Sequence, residues 1–284
     1  MNILVTGSSG FVGSHLCARL RQEHKVFYLA RPHNPAQQPG ANGNTFFFAD
    51  NNIGALTLFL RQNQIEGIIH LASLYLQTHQ EKDIPSLIQS NVYLGTAILE
   101  AAGKAGVQWF INTGTIWQNF NAPDGSDRYC PVNLYAATKQ AFMDLAKFYS
   151  ETTDMRICTL KLCDTYGPND TRRKIYALFE ENARTGELLQ MSAGEQKMDI
   201  LHIDDVVEGF VHLAQMMHDG EKLQAEYVLS SGNQLSLREL AARYEQEHHV
   251  HLNIEWGARP YRPREVMTPY KGNLLPAWHP QKRE

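Results

Sequence analysis

The chain has 284 residues, 43% of them hydrophobic and 20% charged, enough for one large globular unit or a large domain with a smaller appendage. A formal charge of −4 and a pI near 6.3 give no electrostatic footprint for nucleic acid or an anionic membrane, and they suit a small or anionic metabolite better. No apolar run reaches the roughly 20 residues of a membrane-spanning helix, no leader-like segment precedes the first strand, and Cys17, Cys130, Cys158 and Cys163 form no Cys-x-x-Cys pair, so a reduced, cytoplasmic protein is expected.

Short apolar runs predict strands over 2–6, 26–30, 46–49, 67–72, 107–113 and 156–162, separated by stretches of helical period near 11–22, 53–63, 84–105 and 133–152. This alternation implies right-handed βαβ crossovers and hence an α/β, Rossmann-type doubly wound parallel sheet. Asp83, just before Pro85, suits the start of the third helix as an acidic cap. Beyond residue 163 the rhythm loosens, with helices expected near 172–185 and 204–219, a strand in "AEYVLS", and a tail over 257–284 rich in proline, arginine and tryptophan. The expected division is a dinucleotide-binding domain over 1–163 with later returns near 200–231, and a mainly substrate-binding, discontinuous region over 164–284.

"TGSSGFVG", Thr6 to Gly13, follows the first strand and opens a helix, with glycines at 7, 10 and 13. Glycine allows a tight turn and close approach of backbone N–H groups to a pyrophosphate, whose charge the helix N-terminus favours. Gly7, Gly10, Phe11, Val12 and Gly13 are therefore candidate cofactor contacts. The second strand ends in Ala30 and Arg31 instead of an acid; an arginine pairs with a 2′-phosphate that a carboxylate would repel, so NADP(H) is favoured, with NAD(H) possible. Asp50 and Asn51 follow the third strand in reach of an adenine, although Asp50 is equally placed to cap the next helix. His248, His249 and His251 lack the i, i+4 ligand spacing of a helical zinc motif, and no metal is expected.

In "LYAATK", Tyr135 and Lys139 stand four positions apart on one helix face, so phenol and ammonium can reach one small volume. Alone, that spacing suits an ordinary surface helix as well. With "TGSSGFVG", "IIHLAS", "NVYLGTAILEAA", "INTGTIWQ", "LKLCDTYGP", "DILHIDDVVEG" and "LSSGNQLSLRELA" in this order, however, the chain resembles the extended short-chain dehydrogenase/reductases, the epimerase/dehydratase group of nucleotide-sugar enzymes. The resemblance implies that Tyr135 is the proton donor or acceptor, that Thr113 hydrogen-bonds the reacting carbonyl oxygen, and that Lys139 binds the nicotinamide ribose and lowers the phenol pKa. It also implies cofactor-contact or positioning roles for Leu71, Ala72, Ser73, Asn91 and Leu162, each of which packing would explain equally, and a homodimer through the helices near 84–105 and 133–152.

Within that group, the 4,6-dehydratases carry an Asp-Glu pair where this chain has Gly114 and Thr115, and the cysteine of the epimerase-reductases that invert two carbons would fall at Thr115. Cys163 reads as a buried small hydrophobe. Hydride transfer at one sugar carbon remains, and "HLASLYLQTHQ", "PVNLYAATKQAF", "GEQKMDILHIDDVV" and "RPYRPREVM" resemble the smaller nucleotide-sugar 4-ketoreductases, such as the CDP-abequose and CDP-paratose synthases. Two departures concern the substrate: the family's Asn-x-x-Gly begins here with Asp164, and the arginine often preceding a later aspartate is Met198. A carboxylate near a diphosphate needs a screening cation, for which Arg172, Arg173, Lys197 and Arg262 are candidates, Arg262 being preferred for the pyrophosphate. Thr113, Thr115 and Tyr75 complete the candidate sugar contacts, with core packing the simpler reading of Tyr75. The expected activity is NADPH-dependent reduction of the 4-keto group of a nucleotide-linked deoxysugar, a CDP-sugar favoured; the alternatives are an NAD-dependent 4-epimerase and a non-catalytic dinucleotide sensor.

Overall fold

The run NILVT forms β1 (Asn2–Thr6), and its residues from Ile3 to Thr6 are buried, as a strand covered on both faces requires. Ile3 and Val5 face one core while Leu4 faces the other, which is the period-two alternation of a strand. The computed structural model describes residues 1–31, 43–48, 52–120 and 128–281, so Asp50 and Asn51 lie outside the described residues. In it β1 pairs with β2 (Lys25–Ala30), which pairs with β3 (Thr45–Phe47), and on its other side with β4 (Gly67–His70). β5 (Trp109–Thr115), β6 (Arg156–Leu162) and β11 (Glu226–Leu229) extend the sheet beyond β4, every ladder parallel, in the order β11-β6-β5-β4-β1-β2-β3.

Helices cover both faces. α1 (Phe11–Leu20) and α7 (Ile203–His218) bury Leu16, Leu20, Val206 and Phe210 against one face. α2 (Ile53–Gln62), α4 (Leu94–Ala105) and α5 (Leu134–Thr152) bury Leu56, Ile98 and Phe142 against the other. The expected helix over 84–105 is interrupted: α3 (Ile84–Ile88) passes through a π-turn at Gln89–Tyr93 before α4 begins. Asp83 does not cap it by side chain. It ends a 3₁₀ turn, where its carboxylate accepts from the Gln80 N–H at 2.8 Å.

The later part builds a third apolar cluster from Phe179 on α6 (Ile175–Thr185) and Leu237, Leu240 and Tyr244 on α8 (Leu237–His248). Three two-stranded pieces frame it: β7 (Asp164–Tyr166) with β10 (Ile200–His202), β8 (Leu189–Met191) with β13 (Ile254–Trp256), and β9 (Lys197–Met198) with β12 (Leu235–Ser236). α6 starts later than position 172 because Asp170 accepts the Arg172 N–H at 3.0 Å and holds that stretch as a turn. α8 has no counterpart in the helices expected from periodicity, yet Ser-x-x-Glu at 236–239 announces it: Ser236 Oγ accepts from Glu239 N at 3.2 Å, and the Glu239 carboxylate from Ser236 N at 2.7 Å.

Candidate active site

β1 continues through α1 to β2 and β3 on one side, while β4 leads to β5, β6 and β11 on the other, so a crevice opens beyond the C-terminal ends of β1 and β4. Gly7 turns the chain there with φ +69°, and a Cβ on it would stand 2.7 Å from the Ala72 backbone nitrogen. A Cβ on Gly13 would run into the Gly7 carbonyl. Gly10 caps α1 without any side-chain bond, leaving the first helical amides to face an anion. Phe11 and Val12 rest partly buried on the core, and Arg31 is exposed at the end of β2. Thr6 Oγ1 accepts from Ala72 N at 3.1 Å and bonds His70 Nδ1 at 2.8 Å, tying the glycine turn to β4. Burial, and then the nearby Lys139 charge, push His70 down to about 3, so it is neutral.

α5 begins at Asn133, whose Oδ1 accepts from Ala136 N at 2.9 Å while its Nδ2 donates to the Gln77 carbonyl at 3.0 Å. One turn in, Lys139 is 1% exposed, and among the described residues no hydrogen-bond acceptor pairs with its ammonium. Tyr135 projects into a cavity of about 170 Å³ shared with Thr113, Thr115, Leu162 and Cys163. Asn91, on the π-turn, fixes this helix. Its Oδ1 accepts from Leu74 N at 2.7 Å and Ser73 Oγ at 3.2 Å, and its Nδ2 donates to Leu74 O and Thr138 Oγ1, both at 3.0 Å. Thr138 Oγ1 in turn donates to the Tyr135 carbonyl at 2.7 Å. The Asn91 amide thus ties α5 to the chain beyond β4, in keeping with a positioning role; a π-turn at such a point is a common functional adjustment.

Burial pushes the Tyr135 phenol up to about 12, with a Ser73 hydrogen bond opposing and Tyr75 adding to the rise. The direction is opposite to the lowering expected from Lys139, because burial is the largest cause. Lys139 is itself brought from its ordinary 10.5 down to about 8 by burial. Thr113 Oγ1 is buried with no hydrogen-bond partner among the described residues. A nicotinamide dinucleotide fits these residues: a glycine cradle that a Cβ would fill, a helix N-terminus for its diphosphate, an orphaned hydroxyl at Thr113 and an uncompensated ammonium at Lys139.

A second cavity, about 510 Å³, adjoins the first and shares Tyr75, Trp117, Asp164, Arg172 and Lys174 with it. The cation that screens Asp164 is none of the four expected: Lys174 Nζ lies 2.8 Å from Asp164 Oδ1. Arg172 is occupied by Asp170 at 2.7 Å and by Thr165, and it stacks 4.2 Å over the Phe11 ring. Arg173 pairs with Glu181 at 2.9 Å. Lys197 and Arg262 line the larger cavity, where the Gln77 side-chain oxygen and Glu265 hold the Arg262 guanidinium. Tyr75 is 41% exposed, so core packing does not explain it; its ring meets Tyr135 edge-on at 5.1 Å. Thr115 Oγ1 accepts from Trp117 N at 3.3 Å, and Leu71 and Leu162 pack partly buried on the core below. Cys163 is buried, and that burial pushes its thiol well up, as a small hydrophobe requires. Lys174 and Trp117 escaped sequence reasoning. "TRRK" shows three adjacent cations, but the late start of α6 decides which one turns inward.

The sequence profile of the NAD dependent epimerase/dehydratase family matches residues 3–229. The CDP-abequose synthase of Salmonella muenchen is 27% identical over 267 residues, covering 93% of this chain and 87% of that one. The CDP-abequose synthase of Yersinia pseudotuberculosis is 26% identical, covering 95% of this chain and 92% of that one. The UDP-glucose 4-epimerase of Thermus thermophilus, solved with NAD, superposes with a TM-score of 0.80 at 21% identity over 100% of this chain and 95% of that one.

Lys139 carries a stability cost with a defined sign. The unfolded chain holds this proton up to about 10.5 and the folded chain only up to about 8, so folding releases it between those values and stability rises with pH across that window. Lys139→Met is expected to stabilise the protein at pH 7 by on the order of 3 kcal/mol. Denaturant titrations at pH 7 and pH 10 check this; an equal or lower stability of the variant at pH 7 contradicts it.

Proposed function

The chain belongs to the NAD dependent epimerase/dehydratase family, and on that premise we propose that it uses NADPH to reduce the 4-keto group of a nucleotide-linked deoxysugar, a CDP-sugar first among them. The observation that carries this reading is the Tyr135 phenol, held protonated by a pKa pushed up to about 12, beside the orphaned Thr113 hydroxyl. Reduction of a ketone needs a proton donor at the carbonyl oxygen, and a buried neutral phenol is one at any pH near 7. The similarity to CDP-abequose synthases over most of the chain supports the same direction. A UDP-glucose 4-epimerase solved with NAD shares the fold, and 4-epimerisation is the second reading.

A bound nicotinamide dinucleotide supplies the hydride. Thr113 Oγ1 donates to the carbonyl oxygen of the sugar, and Tyr135 gives its proton to that oxygen as negative charge develops on it. Lys139 holds a positive field one helical turn away and, with Gly7, Gly10 and Gly13, binds the cofactor. Arg31 favours the 2′-phosphate of NADPH, and Arg262 with Lys197 meets the diphosphate of the sugar nucleotide. Residues 1–163 with α7 and β11 serve the cofactor, and the third apolar cluster carries the substrate side.

Ile84 and Ile88 on α3 and Leu145 and Phe148 on α5 are large apolar side chains exposed by 41%, 44%, 38% and 58%. We read them as a homodimer face. Phe148→Asp is expected to yield a folded monomer in sedimentation experiments, and an unchanged oligomeric state, or a monomeric parent protein, contradicts that face. For the chemistry, Tyr135→Phe is expected to lower kcat roughly 100- to 10,000-fold with NADPH affinity kept and NADPH preferred to NADH in the parent enzyme. Turnover that survives the substitution sinks the role of Tyr135.

A further inference from the structure

Asp164 and Lys174 form an ion pair, 22% and 26% exposed, on the wall common to both cavities. Lys174 and Arg172 are the only cations lining the smaller cavity among the described residues, and that cavity contains Thr113 and Tyr135. Arg172 is spent on Asp170 and Thr165. The remaining cations, Arg173, Lys197, Arg259, Arg262 and Arg264, line only the larger cavity. Lys174 therefore belongs to the end of the site where a reacting ring would lie, and its charge is already balanced at 2.8 Å by Asp164. A diphosphate moved there would gain little from a neutralised ammonium and would meet a carboxylate.

The same pair is suited to a neutral hydroxyl. A sugar hydroxyl donates one hydrogen bond and accepts others, while Asp164 can only accept and Lys174 can only donate. Set side by side, the two satisfy both halves of one hydroxyl with charge-assisted bonds. Lys174 also lies 5.0 Å above the Tyr75 ring and 5.8 Å above the Trp117 ring, so an apolar C–H face can rest on the aromatic wall while an edge hydroxyl meets the pair. Burial draws the Lys174 ammonium down, the Asp164 carboxylate beside it acts upward, and the net shift is upward.

We propose that the Asp164–Lys174 pair determines sugar specificity by hydrogen-bonding one ring hydroxyl of the bound hexose, and that it does not serve as a diphosphate contact. This deepens the nucleotide-sugar reading and rests on it. A site built to bond a hydroxyl rejects the analogue that lacks it, because its own polar groups are then left without partners.

The test is calorimetric and independent of turnover. CDP, CDP-glucose and its 2-, 3-, 4- and 6-deoxy analogues are titrated, with NADP⁺ present, into the parent protein, Asp164→Asn, Lys174→Met and the double variant. The parent protein is expected to bind one deoxy analogue roughly 10- to 100-fold more weakly than CDP-glucose. In the double variant that difference shrinks to within about threefold, while CDP and NADP⁺ affinities hold; retained NADP⁺ binding shows that the variant is folded. A parallel loss of CDP affinity would assign the pair to the diphosphate and overturn the proposal, as would discrimination that survives the double substitution. Failure of the parent protein to bind any of these nucleotides overturns the CDP-sugar reading beneath it, a result distinct from the other two.

Discussion

The Lys139 ammonium, 1% exposed and without an acceptor among the described residues, sets the conditions that the surrounding structure meets. Burying a cation is costly, so the helix carrying it must be held by other bonds. Asn133 caps α5 and joins it to the chain leaving β4, while Asn91 reaches α5 through Thr138. On the far side, Gln118 Nε2 donates to Gln140 Oε1 at 2.9 Å. Gly95 on α4 has no side chain where the Phe142 ring sits, which lets the two helices approach. His70, neutral beneath the same helix, adds no second positive charge.

The two titratable groups on the Tyr135–Lys139 turn are driven in directions that suit different tasks. Burial raises the phenol and lowers the ammonium, because in each case the charged form loses water. Separated shifts of this kind are what the proposed acid–base role draws on. The phenol stays a donor, and the ammonium stays charged only up to about pH 8. The substrate side meets this turn through aromatic contacts: Tyr75 touches Tyr135, Lys174 lies over Tyr75, and Arg172 lies over Phe11 beside the glycine cradle. The wall of the larger cavity is therefore in physical contact with the Tyr135 turn and the glycine cradle.

The parallel sheet was legible from alternating apolar runs because strands buried on both faces must be apolar almost throughout, as β1 and β4 are. The glycine cradle was legible because positive φ and close backbone approach leave few residue choices at Gly7 and Gly13. Side-chain partnerships were less accessible. Whether Arg172, Arg173 or Lys174 turns toward Asp164 depends on where α6 starts, and that depends on an Asp170 hydrogen bond invisible to periodicity. Asn91 carried a cofactor-contact or positioning expectation, and the partners that fit positioning became visible only once the π-turn brought it against Leu74 and Thr138. The direction of the Tyr135 shift depends on burial, which two residues on one helix face do not reveal.

The central claim is net hydride delivery to one sugar carbon with Tyr135 as proton donor. Its most direct test is to supply NADPH carrying deuterium at both nicotinamide C4 positions to the enzyme with a freshly generated CDP-4-keto-6-deoxyhexose and to examine the product by NMR. Net reduction places one deuterium at sugar C4 for each NADP⁺ formed, with no such product expected from Tyr135→Phe. A C4 alcohol without deuterium, or no NADP⁺ formed with the 4-keto sugar while CDP-glucose is interconverted with its C4 epimer in the presence of NAD⁺, would contradict it.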